Sequence, residues 1–321
     1  MTPLVSILLP VHDGAAFVRT AIASALAQSI HDLEIIAVDD GSTDRTWEVL
    51  SACAREDARV IPLRRAENRG PACARNLAIA EARGTWLALL DADDAFRPGR
   101  LIRLVAGAEE RGADLLADNL ILRDFVTGAP RGYAFSTVGA TGPLGVDDLL
   151  ARDSPTLPIH SRFGFAKPII RGDFLRRTGI RYHEDIRAGS DFLFYCECAL
   201  HGGRFHYDPY PGYIFAVRDG SVSNRRELTR YHSLANQRIL GLAQNSAPAV
   251  QRALHRRQTL IDFDCFRISV GTLRHDLTTS LSLARCLPVP YLLRRVSRAA
   301  VRRLASAITS DEASGDPPRP A

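Results

Sequence analysis

Residues 86–94 read WLALLDADD, five apolar positions running into three aspartates within four residues. A near-continuous apolar run cut off by polar residues is the pattern of a strand buried on both faces of a parallel sheet. The pattern recurs upstream. Residues 5–9 (VSILL) form a run expected to stop at Pro10, ahead of His12-Asp13, 34–38 (EIIAV) lead into DDGSTD at 39–44, and 60–63 form a further run. Helical spacing separates these runs. Val18, Ile22 and Leu26 share one face, as do Trp47, Leu50 and Ala54 in a helix starting near Asp44, which Ser42 or Asp44 can cap. Residues 71–82 carry proline in their first turn, and Leu101, Leu104, Val105 and Ala108 mark a fourth helix before a strand at 114–122. Four such strand–helix units predict an α/β fold with a mostly parallel, doubly wound sheet. Ligands of such sheets bind at the carboxyl ends of the strands. Asp13, Asp39, Asp40, Asp91, Asp93 and Asp94 all fall there.

Composition narrows the function classes. The chain has 321 residues, 46% of them hydrophobic and 24% charged, which excludes collagen-like, disordered and disulfide-scaffold classes. No run of about 18 uncharged apolar residues occurs, and the N-terminus lacks the basic start of a signal peptide, so a soluble, cytoplasmic protein is expected. The six cysteines show no zinc-type spacing and read as reduced thiols. Residues 1–250 hold 29 basic and 30 acidic residues, whereas 251–303 hold 11 and 3, so the net charge of +5 resides in one C-terminal segment. That distribution, without a recognition motif, argues against nucleic acid as a partner and for a local anionic surface.

Downstream, 127–222 is richer in Gly, Pro and Tyr, with short strands expected over 204–217. From about 225 the chain reads as helical, with Leu228, Tyr231, Ala235, Ile239 and Leu242 in helical register and a second helix over 250–273. A last helix, 291–308, sets Leu293, Val296, Ala300, Leu304 and Ile308 opposite Arg294, Arg295, Arg298, Arg302 and Arg303. Such a basic amphipathic helix either packs on the protein or docks on an anionic membrane. Residues 309–321 read as a disordered tail.

Alternation along an extended chain sets Asp91 and Asp93 on one side, where both carboxylates could face one ligand; Mg²⁺ takes one or two carboxylates together with substrate phosphates. Alone, the pattern equally fits a solvated turn with a helix cap, as DDGSTD does. An exposed loop accounts equally for Asn68-Arg69-Gly70, ahead of a helix carrying Arg75 and Asn76.

Together, 5–13 (VSILLPVHD), 39–44 (DDGSTD), 68–76 (NRGPACARN) and 89–94 (LLDADD) resemble, in order and spacing, the motifs of family 2 glycosyltransferases, which have the GT-A fold. The chain looks most like bacterial exopolysaccharide enzymes of the succinoglycan type. The resemblance implies that Pro10, Val11 and Asp13 line a uracil and ribose pocket and that Asp39 hydrogen-bonds the base. It further implies that Asp91 and Arg75 lie at the nucleotide and that Asp93 holds Mg²⁺ or Mn²⁺ against the diphosphate. The family's catalytic base aligns with Asp191, where Ser190 replaces the usual Glu; Glu184 or Asp185 is the alternative. Asp191 also reads as the N-cap of a helix over 192–201. Arg218 matches a basic residue near the diphosphate, and His12-Asp13 stands where the family has an aromatic or His followed by Asn. Residues 1–224 then form the GT-A-like domain, with a nucleotide-sugar half (1–125) and an acceptor half (126–224), and 225–308 form a helical C-terminal extension. The implied activity is inverting, metal-dependent, non-processive transfer of a sugar, with glucose the guess, from a UDP-sugar to a glycan or lipid-linked acceptor in polysaccharide biosynthesis. Two alternatives remain open: a sugar-phosphate nucleotidyltransferase, whose basic Gly-rich loop is absent, and a non-catalytic nucleotide-sugar-binding partner.

Overall fold

The computed structural model describes residues 2–135, 142–218 and 229–272. The helix expected over 291–308, the tail 309–321, Leu228 and the membrane surface assigned to 291–308 lie outside the described residues. Two compact units divide the chain, Met1–Gln258 and Thr259–Ala321. The sheet and the site belong to the first.

Strand β1 (Val5–Val11), helix α1 (Val18–Leu26), β2 (Leu33–Asp40), α2 (Thr46–Glu56), β3 (Val60–Arg65), α3 (Pro71–Glu81) and β4 (Trp86–Leu89) follow in the expected alternation. Then come β5 (Ala95–Phe96), α4 (Arg100–Arg111), β6 (Leu115–Asp124), β7 (Pro130–Tyr133), β8 (Pro143–Leu144), α5 (Val146–Arg152), β9 (Ile169–Arg171), α6 (Gly172–Thr178), α7 (Ser190–Leu200), β10 (Phe205–Val217), α8 (Thr229–Leu242) and α9 (Pro248–Thr272). The sheet runs β3-β2-β1-β4-β9-β6-β10-β5, with β7 on β6 and β8 on β10. Its long ladders are parallel: β1–β2, β2–β3, β1–β4 and β6–β10. Antiparallel pairing is confined to short strands, notably β9, which joins β4 to β6.

Two boundaries differ from expectation for physical reasons. β1 does not stop at Pro10; it continues to Val11, opposite Asp39. Its ladder with β4 ends at Leu8–Leu89, so Pro10 is paired on the β2 side alone, where a missing N–H is tolerated. The short strands expected over 204–217 are one strand, β10, whose ladder with β6 shifts register between Asp208 and Tyr213. Two prolines and Gly212 at that irregularity broke the sequence pattern. In α4, Leu101, Leu104, Val105 and Ala108 are all buried, as their spacing predicts. In α8, Ala235 and Ile239 are buried, whereas Leu242 is exposed.

Candidate active site

The carboxyl ends of β1 and β2 form one wall. Asp39 is fully buried beside Val11. Its Oδ1 accepts from the Ser42 N–H at 2.9 Å, while its buried Oδ2 accepts no hydrogen bond and is approached by Arg64 Nε at 3.4 Å. A buried carboxylate oxygen without a donor is unusual and suits a ligand N–H. Asp13, in the left-handed region at φ 48°, uses Oδ1 to accept from the Thr43 N–H at 2.8 Å. That bond comes first among the causes that lower its pKa. Neither residue predicted to cap α2 does so from the N-cap position, which Arg45 occupies; Ser42 Oγ accepts from the Asp13 N–H, and Asp44 accepts from the Thr46 N–H. Asp40 accepts from the Gly70 N–H at 2.7 Å, tying β2 to the start of α3. Gly41 makes this approach possible, because a Cβ there would lie 2.5 Å from Asn68 N.

Asp91 and Asp191, far apart in sequence, meet across two cations. Arg75, on α3 and almost wholly buried, donates to Asp91 Oδ1 at 2.7 Å and to Asp191 Oδ1 at 3.0 Å. Lys167 approaches the other oxygens, Asp91 Oδ2 at 2.8 Å and Asp191 Oδ2 at 3.6 Å. Burial opposes the charge on Asp91, but Lys167 and Arg75 outweigh it and hold its carboxyl well below the usual range. Burial likewise opposes the Lys167 ammonium, and Asp91 and Asp191 more than offset it. Asp191 sits in the first turn of α7 behind Gly189, the N-cap, rather than at the cap itself.

Asp93 is placed differently. Burial and the charge of Asp91 raise its pKa, with Arg218, 3.5 Å away, as the main counterweight. Arg218 in turn lies 5.4 Å from the ring centres of both Phe17 and Phe125. Asp94, buried behind it, accepts from Tyr213 Oη at 2.7 Å and the Ala216 N–H at 2.8 Å; burial, Asp91 and Asp93 push its pKa well up. Two cations thus offset Asp91 and Asp191, and Asp93, paired with Arg218, is the carboxylate of the cluster that would hold a cation. Among the described residues no group of three or more His, Cys, Asp or Glu side chains forms a closed metal cage.

Of the predicted residues, Arg75, Asp91 and Asp191 are brought into direct contact, Asp93 and Arg218 pair beside them, and Val11, Asp13 and Asp39 cluster at the β1–β2 wall with Pro10. The alternatives to Asp191 are engaged elsewhere: Glu184 with Arg69 and Asn76, and Asp185 with Arg238. Sequence reading missed Lys167. Its signal was composition, since it is the single lysine beside 40 arginines.

A family model described as glycosyl transferase family 2 matches residues 6–148. The succinoglycan biosynthesis protein ExoO of Rhizobium meliloti (strain 1021) is 32% identical over 316 residues, covering 95% of this chain and 88% of that protein. The chain belongs to glycosyl transferase family 2. A second relative, the succinoglycan biosynthesis protein ExoU of the same organism, is 33% identical over 258 residues, covering 77% of this chain and 73% of that protein. The fold is shared with S. aureus TarS 1-349 in complex with UDP, at a TM-score of 0.60 and 17% identity over 96% of this chain and 87% of that one. It is shared too with the mannosyltransferase PcManGT from Pyrobaculum calidifontis in complex with GDP-Man and Mn²⁺, at 0.57 and 17% identity over 97% of this chain and 81% of that one. The GT-A-like α/β fold and the glycosyltransferase activity expected from the motifs therefore hold for this family 2 enzyme. No described helix is long and apolar enough to cross a membrane.

Proposed function

We propose that the enzyme is an inverting, metal-dependent, non-processive transferase that moves one sugar, with glucose the first candidate, from a UDP-sugar to a glycan or lipid-linked acceptor in bacterial polysaccharide biosynthesis. The observation that carries this reading is the meeting of Asp191 with Asp91 across Arg75 and Lys167. It sets a carboxylate base against the donor end of the site. Asp191 takes the proton of the acceptor hydroxyl as that oxygen attacks the anomeric carbon, and the bond to the diphosphate breaks on the opposite face. Asp91, which like Asp191 has a cation near each oxygen, is assigned to orienting the donor. A single displacement of this kind inverts the anomeric centre. Pro10, Val11, Asp13 and Asp39 bind the nucleoside, the unsatisfied Asp39 Oδ2 accepting the base N–H. Arg218 and Arg75 face the diphosphate. Mg²⁺ or Mn²⁺ at Asp93 would supply charge neutralisation for the departing UDP. TarS in complex with UDP and with UDP-GlcNAc makes a UDP-sugar the first donor class to test. The basic sequence over 291–308 is assigned to an anionic membrane surface on the cytoplasmic side.

Thermal melting with UDP, UDP-glucose and GDP-mannose, each with and without Mn²⁺, tests the donor site. Saturation a hundredfold above Kd adds about 2.7 kcal/mol of stability. A Mn²⁺-dependent upward shift with the uridine compounds alone is expected; no shift with any nucleotide sinks the donor assignment. Asp191→Asn should retain UDP binding and lose roughly 10²–10⁴-fold in transfer rate, the span of a general base.

A further inference from the structure

Lys167 has no part in the motifs that identify the family, yet its side chain is only 3% exposed and lies between the two carboxylates of the site. We propose that Lys167 is a positioning residue: its ammonium, bridging Asp91 and Asp191, fixes the Asp191 carboxylate relative to the donor. The inference rests on the reading of Asp191 as the base. Arg75 approaches the same two carboxylates through their Oδ1 atoms and Lys167 through their Oδ2 atoms, at 2.8 Å from Asp91 and at an ion-pair distance of 3.6 Å from Asp191, so each carboxylate has a cation near both oxygens. Rotation of Asp191 about its terminal bond would break one grip or the other.

The lysine is itself anchored. The Ala166 carbonyl accepts from Tyr195 Oη at 2.7 Å, and the Lys167 carbonyl accepts from Arg100 Nη2. Arg100 is fully buried, doubly hydrogen-bonded to Asp118 at 2.8 and 2.7 Å, and stacked against Phe96 and Tyr213. β10 crosses this pair at Gly212, where a Cβ would lie 2.3 Å from Asp118 Oδ2. Two hydrogen bonds, from Tyr195 and from the buried Arg100, thus fix the backbone from which the ammonium extends. Its ion pairs are to the two carboxylates, which argues for action through them rather than through contact with diphosphate.

The experiment compares Lys167→Met, Lys167→Gln, Asp191→Asn and the double variant Lys167→Met/Asp191→Asn in the full chain, by steady-state transfer and by UDP titration with Mn²⁺. Gln fills a similar volume and retains a hydrogen-bond donor, so one folded variant suffices; melting curves identify it. Misplacing a reacting group by about 1 Å can cost 10²-fold. The expected result is a kcat about 10²-fold lower, UDP affinity within about threefold of wild type, and little further loss when Lys167→Met is added to Asp191→Asn. A tenfold or greater loss of UDP affinity with kcat preserved would overturn the proposal in favour of diphosphate contact. So would losses that multiply in the double variant. A wild-type transfer rate in Asp191→Asn alone would instead sink the reading of the base, a separate outcome.

Discussion

Asp39 and Asp91 lie at the carboxyl ends of β2 and β4, on either side of β1, and are used in opposite ways. Asp91 has cations on both oxygens, whereas Asp39 keeps Oδ2 buried without a hydrogen-bond donor. A charge-assisted hydrogen bond contributes about 1.5–3 kcal/mol. Asp39→Asn can preserve the bond from Ser42 through its carbonyl oxygen while presenting an amide donor where the carboxylate accepted. UDP affinity measured by calorimetry should fall at least about tenfold, with melting temperature nearly unchanged. Unaltered affinity would remove Asp39 from the base pocket. The sequence singled out both residues as strand-end aspartates, but could not distinguish them. The difference comes from Arg75 and Lys167, and Lys167 reaches Asp91 only through folding.

At the scale of elements, the turn after β6 and the attachment of α9 each rest on one aspartate. Asp124 accepts from the Thr127 N–H at 2.9 Å and pairs with Arg131, and the Thr127 bonds come first among the causes that hold its pKa at about 2. A depressed carboxyl stabilises the fold above its unfolded pKa near 3.8 and ceases to do so as pH falls through 2. Amide exchange at Thr127 should therefore lose protection over that window, and Asp124→Asn should exchange faster at neutral pH. In the other element, Arg257 donates to the Asp153 carboxylate and to Asn236, and stacks 4.4 Å from the Phe192 ring, one residue beyond Asp191. Removing one partner of such a buried pair costs about 3–5 kcal/mol. Arg257→Met should lower unfolding free energy in urea by that amount; a change below about 1 kcal/mol would show the pair to be incidental. Hydrophobic spacing made both elements legible, β6 by its apolar run and α9 by its helical register. Their attachments were not, because a lone Asp or Arg in a loop or helix has no period.

For the molecule as a whole, acid stability has an identifiable contributor. His232, packed against Gly189, is pushed down to about 3 by burial and then by Arg257 and Arg162. The folded state binds fewer protons than the unfolded state between pH 6.5 and 3. Stability is accordingly complete above 6.5 and declines on acidification, with a slope approaching about 1.4 kcal/mol per pH unit. His232→Gln should flatten the fall in melting temperature between pH 6.5 and 4, and an unchanged slope would refute this assignment.

The sequence by itself determined the alternating strands and helices, the carboxyl-end placement of the aspartates and the family, because each is carried by local period and by motifs of fixed spacing. Tertiary structure alone decided the rest. It inserted the three-residue β9 between β4 and β6, merged 205–217 into one strand across a register shift, and paired Asp191 with Arg75 and Lys167 while Glu184 pairs with Arg69 and Asp185 with Arg238. It also delivered Lys167 to the site from outside every motif. Those outcomes depend on pairing and charge balance between segments up to 116 residues apart. Burial makes such charges settle against one another, and no local pattern in the chain encodes which ones will meet.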